Sequence, residues 1–277
     1  MLGDLRAVIS AVNTPLAIRS SSMLEDAMHE PFAGIYGTKM TPNNQPDINT
    51  RFKKLVEAIK FVYASTFFKS AKDYMKATPH STKDEKMAVI IQEVIGKKFK
   101  NRFYPEVSGV GRSHNYYAFG HADPKDGIVN LALGLGKTIV DGGNSWSYTP
   151  AFPKADPPFN SVNDMLNNTQ RTFWSVNMGK TSAYDPIKET EYMLETNIVE
   201  AEEDETLRLL ASTLDSQSGR IVMGVSKSGP RLLNFAPILR LGEIPLNDLL
   251  IKLMSVCAEN EGAPVEIEFA MTFSDSG

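Results

Sequence analysis

The chain has 277 residues, 22% of them charged, and a formal net charge of −4. Its length supplies enough apolar material for one large domain or two lobes, and the balanced charge argues against a nucleic-acid or membrane surface. A single cysteine, Cys257, excludes an internal disulfide. No apolar run approaches the ~20 residues that span a bilayer, and Asp4 and Arg6 make the N-terminal run too charged for a signal peptide. The sequence predicts a soluble, cytoplasmic protein without nucleic-acid or membrane partners.

The segment from 18 to 40 carries side chains suited to binding an anion. A short apolar run ending at Ile18 is predicted to be the end of a strand, and Arg19 follows it at once. Small and polar residues then come in two groups, which are Ser20, Ser21 and Ser22, and a loop at 32–38 containing Gly34, Gly37 and Thr38. Backbone N–H groups next to glycine can form a concave nest, and arginine supplies bidentate charge-assisted bonds. We interpret the segment as a polyphosphate cradle; the alternative is a polar loop between a strand and a helix.

Apolar periodicity predicts the elements that follow this segment. Residues 47–77 show helical spacing, with a break near Ala64 and Ser65. A further helix is predicted at 245–261, with Gly262 as its C-terminal cap and an apolar face formed by Leu246, Leu249, Leu250, Leu253 and Cys257. The other predicted elements are strands within 86–96, 106–111, 127–135 and 220–225, a helix at 204–214, and a long irregular excursion with local helix at about 144–200.

A pair of glutamates marks the last predicted strand, at 264–270. Glu266 and Glu268 alternate there with apolar residues, so the two carboxylates share one face of the strand. Their alpha carbons would lie roughly 6.5–7 Å apart, which is two steps of strand rise. Hard divalent cations such as Mg²⁺ take carboxylate oxygens in this manner and complete their shell with water and substrate phosphates. The pattern predicts a magnesium site; the alternative is the solvent-facing side of a half-buried strand.

Several segments, taken in order, resemble the ATP-binding domain of the phosphoenolpyruvate synthase and pyruvate phosphate dikinase family. They are IRSSSMLED, PFAGIYGT, EKMAVIIQEVIG, FYPEVSGV, GLGKTIVDGG, PPFNSV and VEIEFA, and they extend over nearly the whole chain. The resemblance implies an α+β, ATP-grasp-like fold whose two lobes close on a nucleotide. On this basis we expect a phosphate-loop and helical lobe at 1–82, and a core lobe at 83–277 that contains the irregular insertion at about 144–200.

The resemblance also implies roles for the residues of the first lobe. Arg19 corresponds to the arginine that holds the ATP phosphates, and it is the residue expected to act in catalysis. The phosphate-covering loops correspond to Ser20, Ser21, Ser22, Gly34, Gly37 and Thr38. The connection between the lobes, whose backbone pairs with the adenine edge in this family, corresponds to Gln92, Glu93 and Val94.

Two further positions complete the implied site. Glu266 and Glu268 correspond to the acidic pair on the family's magnesium-binding strand, so the expected cofactors are ATP and Mg²⁺. Lys137 stands where relatives commonly have a glutamate that contacts ribose. The sequence at 134–138, GLGKT, is not a Walker motif, because that motif requires a glycine where this chain has Leu131.

Two features of the family are missing from the sequence. A catalytic lysine lies upstream of the arginine loop in relatives, and a segment resembling Q-T-R-P follows their acidic strand. We therefore expect this chain to be a piece of a longer protein and not competent for the full reaction in isolation. Its expected partners are a phosphohistidine domain and a pyruvate/phosphoenolpyruvate domain of the same longer chain.

The implied function is the ATP-binding module of a dikinase. It would transfer a phosphoryl group from ATP to a histidine on another domain. The phosphohistidine would then phosphorylate pyruvate to phosphoenolpyruvate. Two alternatives stay open at this stage: another water dikinase with a different acceptor, and a degenerate nucleotide-binding or regulatory domain without turnover.

Overall fold

A computed structural model describes residues 2–22, 24–25, 34–78, 85–118, 120–155, 159–180, 183–242 and 244–274. Parts of the quoted motifs, such as Phe32, Ala33, Pro157 and Pro158, lie outside these ranges. The chain divides into two compact units. Unit 1 comprises Met1–Tyr104 and Ser175–Leu194, and unit 2 comprises Pro105–Trp174 and Glu195–Gly277.

The described residues combine helices and strands throughout. The α-helices are α1 (Leu2–Ala11), α2 (Ile48–Ser65), α3 (Lys69–Ala77), α4 (Lys137–Val140), α5 (Val162–Asn168), α6 (Ile198–Glu203), α7 (Ala236–Leu241) and α8 (Leu246–Glu261). The strands are β1 (Leu16–Ser22), β2 (Lys39–Thr41), β3 (Met87–Glu93), β4 (Lys97–Phe99), β5 (Arg102–Tyr104), β6 (Val107–Arg112), β7 (Ile128–Ala132), β8 (Trp146–Tyr148), β9 (Thr172–Asn177), β10 (Met193–Asn197), β11 (Ser212–Leu214), β12 (Ile221–Met223), β13 (Arg231–Leu232) and β14 (Glu266–Met271). Short 3-10 helices occur at Pro124–Asp126, Glu189–Tyr192 and Thr206–Leu209. No helix in these ranges is both long enough and apolar enough to cross a membrane.

The core of unit 1 forms where α1 and α2 cover a three-stranded sheet in which β1 lies between β2 and β3. Ile18 of β1 is buried there with Leu55 and Val62 of α2. The helix begins after Asp47, whose carboxylate accepts hydrogen bonds from the backbone N–H groups of the first turn. The helical run predicted at 47–77 is confirmed, and so is its break, because α2 ends at Ser65 and α3 begins at Lys69.

The sheet of unit 1 corrects one expectation about the phosphate cradle. β1 continues through Ser22, because Ser20, Ser21 and Ser22 pair with Val89, Ala88 and Met87 of β3. The three serines therefore lie in a strand and not in a loop. Because β3 pairs with β1, it belongs to unit 1. The boundary of this compact unit therefore differs from the predicted lobe boundary between residues 82 and 83. That boundary stays a prediction about functional lobes.

Unit 2 contains the strand with the acidic pair. Its main sheet is antiparallel and ordered β14-β6-β7-β8. Phe269 of β14 lies so close to Gly109 that a Cβ at that position would come 2.2 Å from the ring. α8 packs on this sheet and ends at Gly262, which adopts the left-handed conformation with φ +65°. The predicted helix and cap are confirmed, but its buried face is Leu246, Leu250 and Met254, and Leu249 is 61% exposed.

Two regions differ from the predicted secondary structure. The helix predicted at 204–214 is wrong: Glu205 takes a left-handed conformation with φ +62° after α6, and a 3-10 turn and β11 follow. The segment at 144–200 contains α5, as predicted, but also β8, β9 and β10, so it is less irregular than expected. Its prolines fall outside these three strands and do not interrupt them.

Candidate functional site

Strand alternation sorts the residues of β1 onto two faces. Arg19 and Ser21 share the face that is turned away from the unit 1 core, and Arg19 is exposed. Ile90 of β3 lies directly opposite Arg19 on this face and is 48% exposed. The face thus combines a guanidinium, a hydroxyl and an apolar surface.

The other two serines hydrogen-bond within the protein. Ser20 Oγ donates to Glu25 Oε1 at 2.7 Å, and the backbone N–H of Ser22 donates to Glu25 Oε2 at 2.9 Å. Ser22 Oγ accepts a hydrogen bond from the N–H of Leu24 at 3.0 Å. Because Ser20 and Ser22 lie on the opposite face from Arg19, Ser21 is the serine placed beside the arginine.

The Gly34–Thr38 loop is anchored at Tyr36. This side chain is buried, and its hydroxyl donates a hydrogen bond to Glu85 Oε2. Burial and the neighbouring carboxylate of Glu85 raise the pKa of Tyr36 well above its usual range. Gly34 has φ +73°, which suits glycine. Packing explains the glycine at 37, because a Cβ there would lie 2.6 Å from the ring of Phe61.

The register of β3 decides which backbone groups of the predicted adenine connection are accessible. The N–H of Val94 donates to the carbonyl of Pro15 at 2.9 Å. Hydrogen-bonded pairs alternate along an antiparallel ladder, so Gln92 also exchanges backbone bonds with β1, opposite Ala17. The N–H and C=O of Glu93 point to the other side of β3. In the described part of the chain that side of β3 is the edge of its sheet.

The acidic strand of unit 2 follows the predicted alternation. Glu266 and Glu268 are exposed on one face of β14, and Ile267 and Phe269 are half-buried on the other. β6 pairs with this strand so that Arg112 stands opposite Glu266. Arg112 Nε lies 2.5 Å from Glu266 Oε2. Sequence reasoning missed Arg112, because only the strand register brings it to the acidic pair.

Lys137 lies at the start of α4 in unit 2. Its ammonium contacts the carboxylate of Asp141 one helical turn away, at 3.1 Å, and lies 5.9 Å from the centre of the Trp174 ring. Gly134 precedes this turn with φ +82°, and a Cβ there would meet the carbonyl of Trp174 at 2.6 Å. The left-handed conformation and the close approach to Trp174 therefore explain the glycine at 134.

A second ion pair missed by the sequence analysis lies inside unit 1. Lys39 Nζ is 2.8 Å from Glu191 Oε2, and the two side chains are 3% and 2% exposed. The ammonium also donates to the backbone carbonyls of Asp185, Pro186 and Lys188. The ring of Phe61 lies 5.0 Å from this ammonium. β2, which follows the Gly34–Thr38 loop directly, is thereby fixed to the segment at 185–191.

The donor groups of unit 2 set a limit on how a metal could bind. Within the described ranges, no group of three or more His, Cys, Asp or Glu side chains is arranged to hold a metal ion. Two carboxylates on one face of a strand suit a cation that takes its remaining ligands from water and substrate. Mg²⁺ bound with phosphates has this character, so the residues present fit it.

Comparison with known proteins gives the family of the chain. No curated protein matched it. The family described as pyruvate phosphate dikinase, AMP/ATP-binding domain, matches residues 3–276. This match confirms the resemblance drawn from the seven motifs and supports an ATP-binding module. The chain belongs to the pyruvate phosphate dikinase AMP/ATP-binding domain family.

Proposed function

We propose that this chain binds Mg-ATP as the nucleotide module of a dikinase. In the longer protein the β-phosphoryl group of ATP would pass to a histidine on another domain, with AMP as the leaving group and the γ-phosphate released to water as inorganic phosphate. The phosphohistidine would then phosphorylate pyruvate to phosphoenolpyruvate. The observation that carries the proposal is the family match over residues 3–276. Phosphoryl transfer demands positioning and charge neutralisation more than covalent chemistry from the protein, and the two units contain groups suited to each task.

Unit 1 contributes phosphate contacts in this proposal. Arg19 supplies a planar guanidinium that can bond two phosphate oxygens at once. Ser21 shares its face and can donate a hydroxyl hydrogen bond. The Gly34–Thr38 loop can add backbone N–H groups, with Tyr36 holding the loop in place. We assign Ser20 and Ser22 a supporting role, because Glu25 already accepts from both residues.

The edge of β3 is suited to the adenine base. The Watson–Crick edge of adenine needs one donor and one acceptor, and a strand edge offers both in alternation. Glu93 presents its N–H and C=O at this edge, whereas Gln92 and Val94 direct theirs toward β1. We therefore assign adenine recognition to the backbone of Glu93, and Ile90 supplies an exposed apolar surface on the adjoining face.

Unit 2 contributes the metal-binding carboxylates and a ribose contact. Glu266 and Glu268 would hold Mg²⁺, and the metal would neutralise the phosphate charge that develops in transfer. Lys137 can donate a hydrogen bond to a ribose hydroxyl oxygen. The carboxylates stay exposed on a paired strand, so they are held at a fixed spacing without burial of their charges.

Calorimetry with ATP, ADP and AMP, each with Mg²⁺, tests the nucleotide assignment. We expect ATP and ADP to bind more tightly than AMP, because each carries a β-phosphate that can accept further charge-assisted hydrogen bonds. Equal affinity for all three, or none, would contradict the phosphate cradle. In the longer protein, ATP labelled at the β-phosphate should transfer its label to a histidine, and label in pyruvate-derived product identifies the acceptor. A labelled protein that labels no product from pyruvate would indicate a dikinase with another acceptor.

A further inference from the structure

Arg112 joins polar side chains of two neighbouring strands on the face of unit 2 that carries the acidic pair. Its Nε is 2.5 Å from Glu266 Oε2, and its Nη1 donates to Asn130 Oδ1 on β7 at 3.4 Å. Asn130 in turn donates to Ser147 Oγ at 2.6 Å and to Ser145 Oγ at 3.2 Å. Register places Glu266, Arg112 and Ile128 in one row across the sheet and Glu268, Val110 and Asn130 in the next. The guanidinium is thus positioned by the same sheet that fixes the two carboxylates.

The exposure of this pair makes it exchangeable. The Arg112 and Glu266 side chains are 44% and 51% exposed. Ion pairs with such exposure contribute little to stability, since water and ions compete for both partners. A divalent cation at Glu266 and Glu268 would repel the guanidinium and replace it as the counter-charge of Glu266. Arginine released in this way keeps a planar fork of donors that matches phosphate oxygens.

We propose that Arg112 exchanges partners when a metal and a polyphosphate bind together. In the free protein it neutralises Glu266; in the bound protein it leaves the carboxylate and contacts a phosphate oxygen of the nucleotide. Arg112 is then a specificity residue that disfavours metal alone and favours metal with polyphosphate. The proposal rests on the proposed function in one respect, which is that Glu266 and Glu268 hold the metal.

The exchange predicts effects of opposite sign for one substitution. Replacing Arg112 by glutamine keeps a polar side chain but removes the charge. Arg112→Gln should bind Mn²⁺ alone about two- to fivefold more tightly than wild type, because Glu266 loses its competing cation. The same variant should bind Mn-ATP about tenfold or more weakly, because a charged hydrogen bond to phosphate is lost. Free Mn²⁺ measured by electron paramagnetic resonance gives the first value, and calorimetry gives the second.

Three further variants separate the causes. Arg208→Gln removes an exposed positive charge elsewhere in unit 2 and should change neither value. Arg112→Lys keeps the charge without the fork, so it should restore the weak binding of metal alone and only part of the nucleotide affinity. Glu268→Gln should weaken Mn²⁺ binding in wild type and in Arg112→Gln. A melting curve without ligand checks that each variant is folded.

Each outcome bears on the proposal. Changes of the same sign for Mn²⁺ and Mn-ATP in Arg112→Gln, or no change, would overturn the partner exchange while leaving the carboxylate metal site in place. Both the exchange and the assignment of the metal to β14 would be overturned if Glu268→Gln left Mn²⁺ binding unchanged. The same holds if neither wild type nor Arg112→Gln bound Mn²⁺. The exchange would be supported if Arg112→Gln tightened Mn²⁺ binding and weakened Mn-ATP binding while Arg208→Gln changed neither affinity.

Discussion

Two ion pairs in the described part of the chain, one in each unit, differ in nearly every property except distance. Lys39 and Glu191 in unit 1 are 2.8 Å apart and almost completely buried. Three backbone carbonyls also accept from Lys39, so its ammonium is fully solvated by protein. Arg112 and Glu266 in unit 2 are 2.5 Å apart and about half exposed. In the buried pair, the additional hydrogen-bond partners of the cation are backbone carbonyls of the protein. In the exposed pair, water can reach both side chains.

This difference indicates which pair is structural and which can take part in binding. A buried pair cannot exchange its partner without leaving a charge in a low-dielectric interior, so it fixes the segments that carry it. An exposed pair can release either partner to a ligand at small cost. Exposure, and not proximity, therefore marks Arg112 and Glu266 as candidates for function.

Removing the buried carboxylate should have the largest effect on stability. Glu191→Gln leaves Lys39 without its counter-charge, and we expect a loss of ~3–5 kcal/mol in the free energy of unfolding. Denaturant unfolding of both proteins measures it, with Glu266→Gln as the exposed control that should change stability by less than ~1 kcal/mol. Replacing both buried partners with apolar residues, as in Lys39→Met with Glu191→Leu, should recover only part of the loss, because the three backbone carbonyls that accept from Lys39 lose this donor. Equal effects of Glu191→Gln and Glu266→Gln would contradict the contrast between the pairs.

A smaller effect is expected for the phosphate face of unit 1, and it should appear in binding alone. Arg19→Ala should cost about 1.5–3 kcal/mol of Mg-ATP binding, the range for a charged hydrogen bond. Ser21→Ala should also weaken binding, whereas Ser20→Ala should leave it unchanged, because Ser20 faces Glu25. Calorimetry on the three variants measures these differences. A stronger effect of Ser20→Ala than of Ser21→Ala would show that strand alternation does not select the phosphate contacts.

The smallest expected effect belongs to a third ion pair, of intermediate exposure. The Arg231 guanidinium donates two hydrogen bonds to Glu202 and holds the pKa of that carboxyl below its usual range. Because the folded-state pKa is lowered, the pair stabilises the fold fully above the ordinary pKa of a glutamate, and this contribution is lost as pH falls through the lower pKa of the folded state. Glu202→Gln should therefore be less stable than wild type at pH 7, and the difference should vanish in acid. Urea unfolding of both proteins at pH 7 and in acid measures the difference in the free energy of unfolding. A difference that persists at the lowest pH would mean that the Arg231–Glu202 pair does not cause it.

The two strands that carry the proposed site residues, β1 and β14, show what the sequence can and cannot predict. In β14, apolar residues alternate with Glu266 and Glu268, so the residue pattern alone assigns the two faces of the strand. In β1, Arg19 is followed by three serines with no apolar residue among them, and such a run favours a loop. Pairing with β3 extends the strand and divides the serines between two faces. A polar run without alternation carries no information on which side chains share a face.

The partners of Lys39 and Arg112 could not be predicted from the sequence for a different reason. Glu191 and Glu266 are distant from them along the chain, and only tertiary packing brings each pair together. Helical periodicity, by contrast, is local, and it predicts α2, α3 and α8 with their boundaries. The proposed adenine connection came from the family resemblance, and strand register then distinguished the backbone orientation of Glu93 from that of its neighbours.

We propose above that the exposed carboxylates of β14 hold the metal of a bound nucleotide. The most direct test is the rise in melting temperature on adding Mg-ATP to wild type, Glu266→Gln and Glu268→Gln, since a ligand that binds the native state stabilises it by mass action. Each substitution removes one anionic ligand and keeps the shape of the side chain, so the fold should persist. We expect a clear shift for wild type and a much smaller shift for each variant. Undiminished shifts in both variants would contradict the assignment of the metal to Glu266 and Glu268 and would favour a solvent-facing strand without a metal.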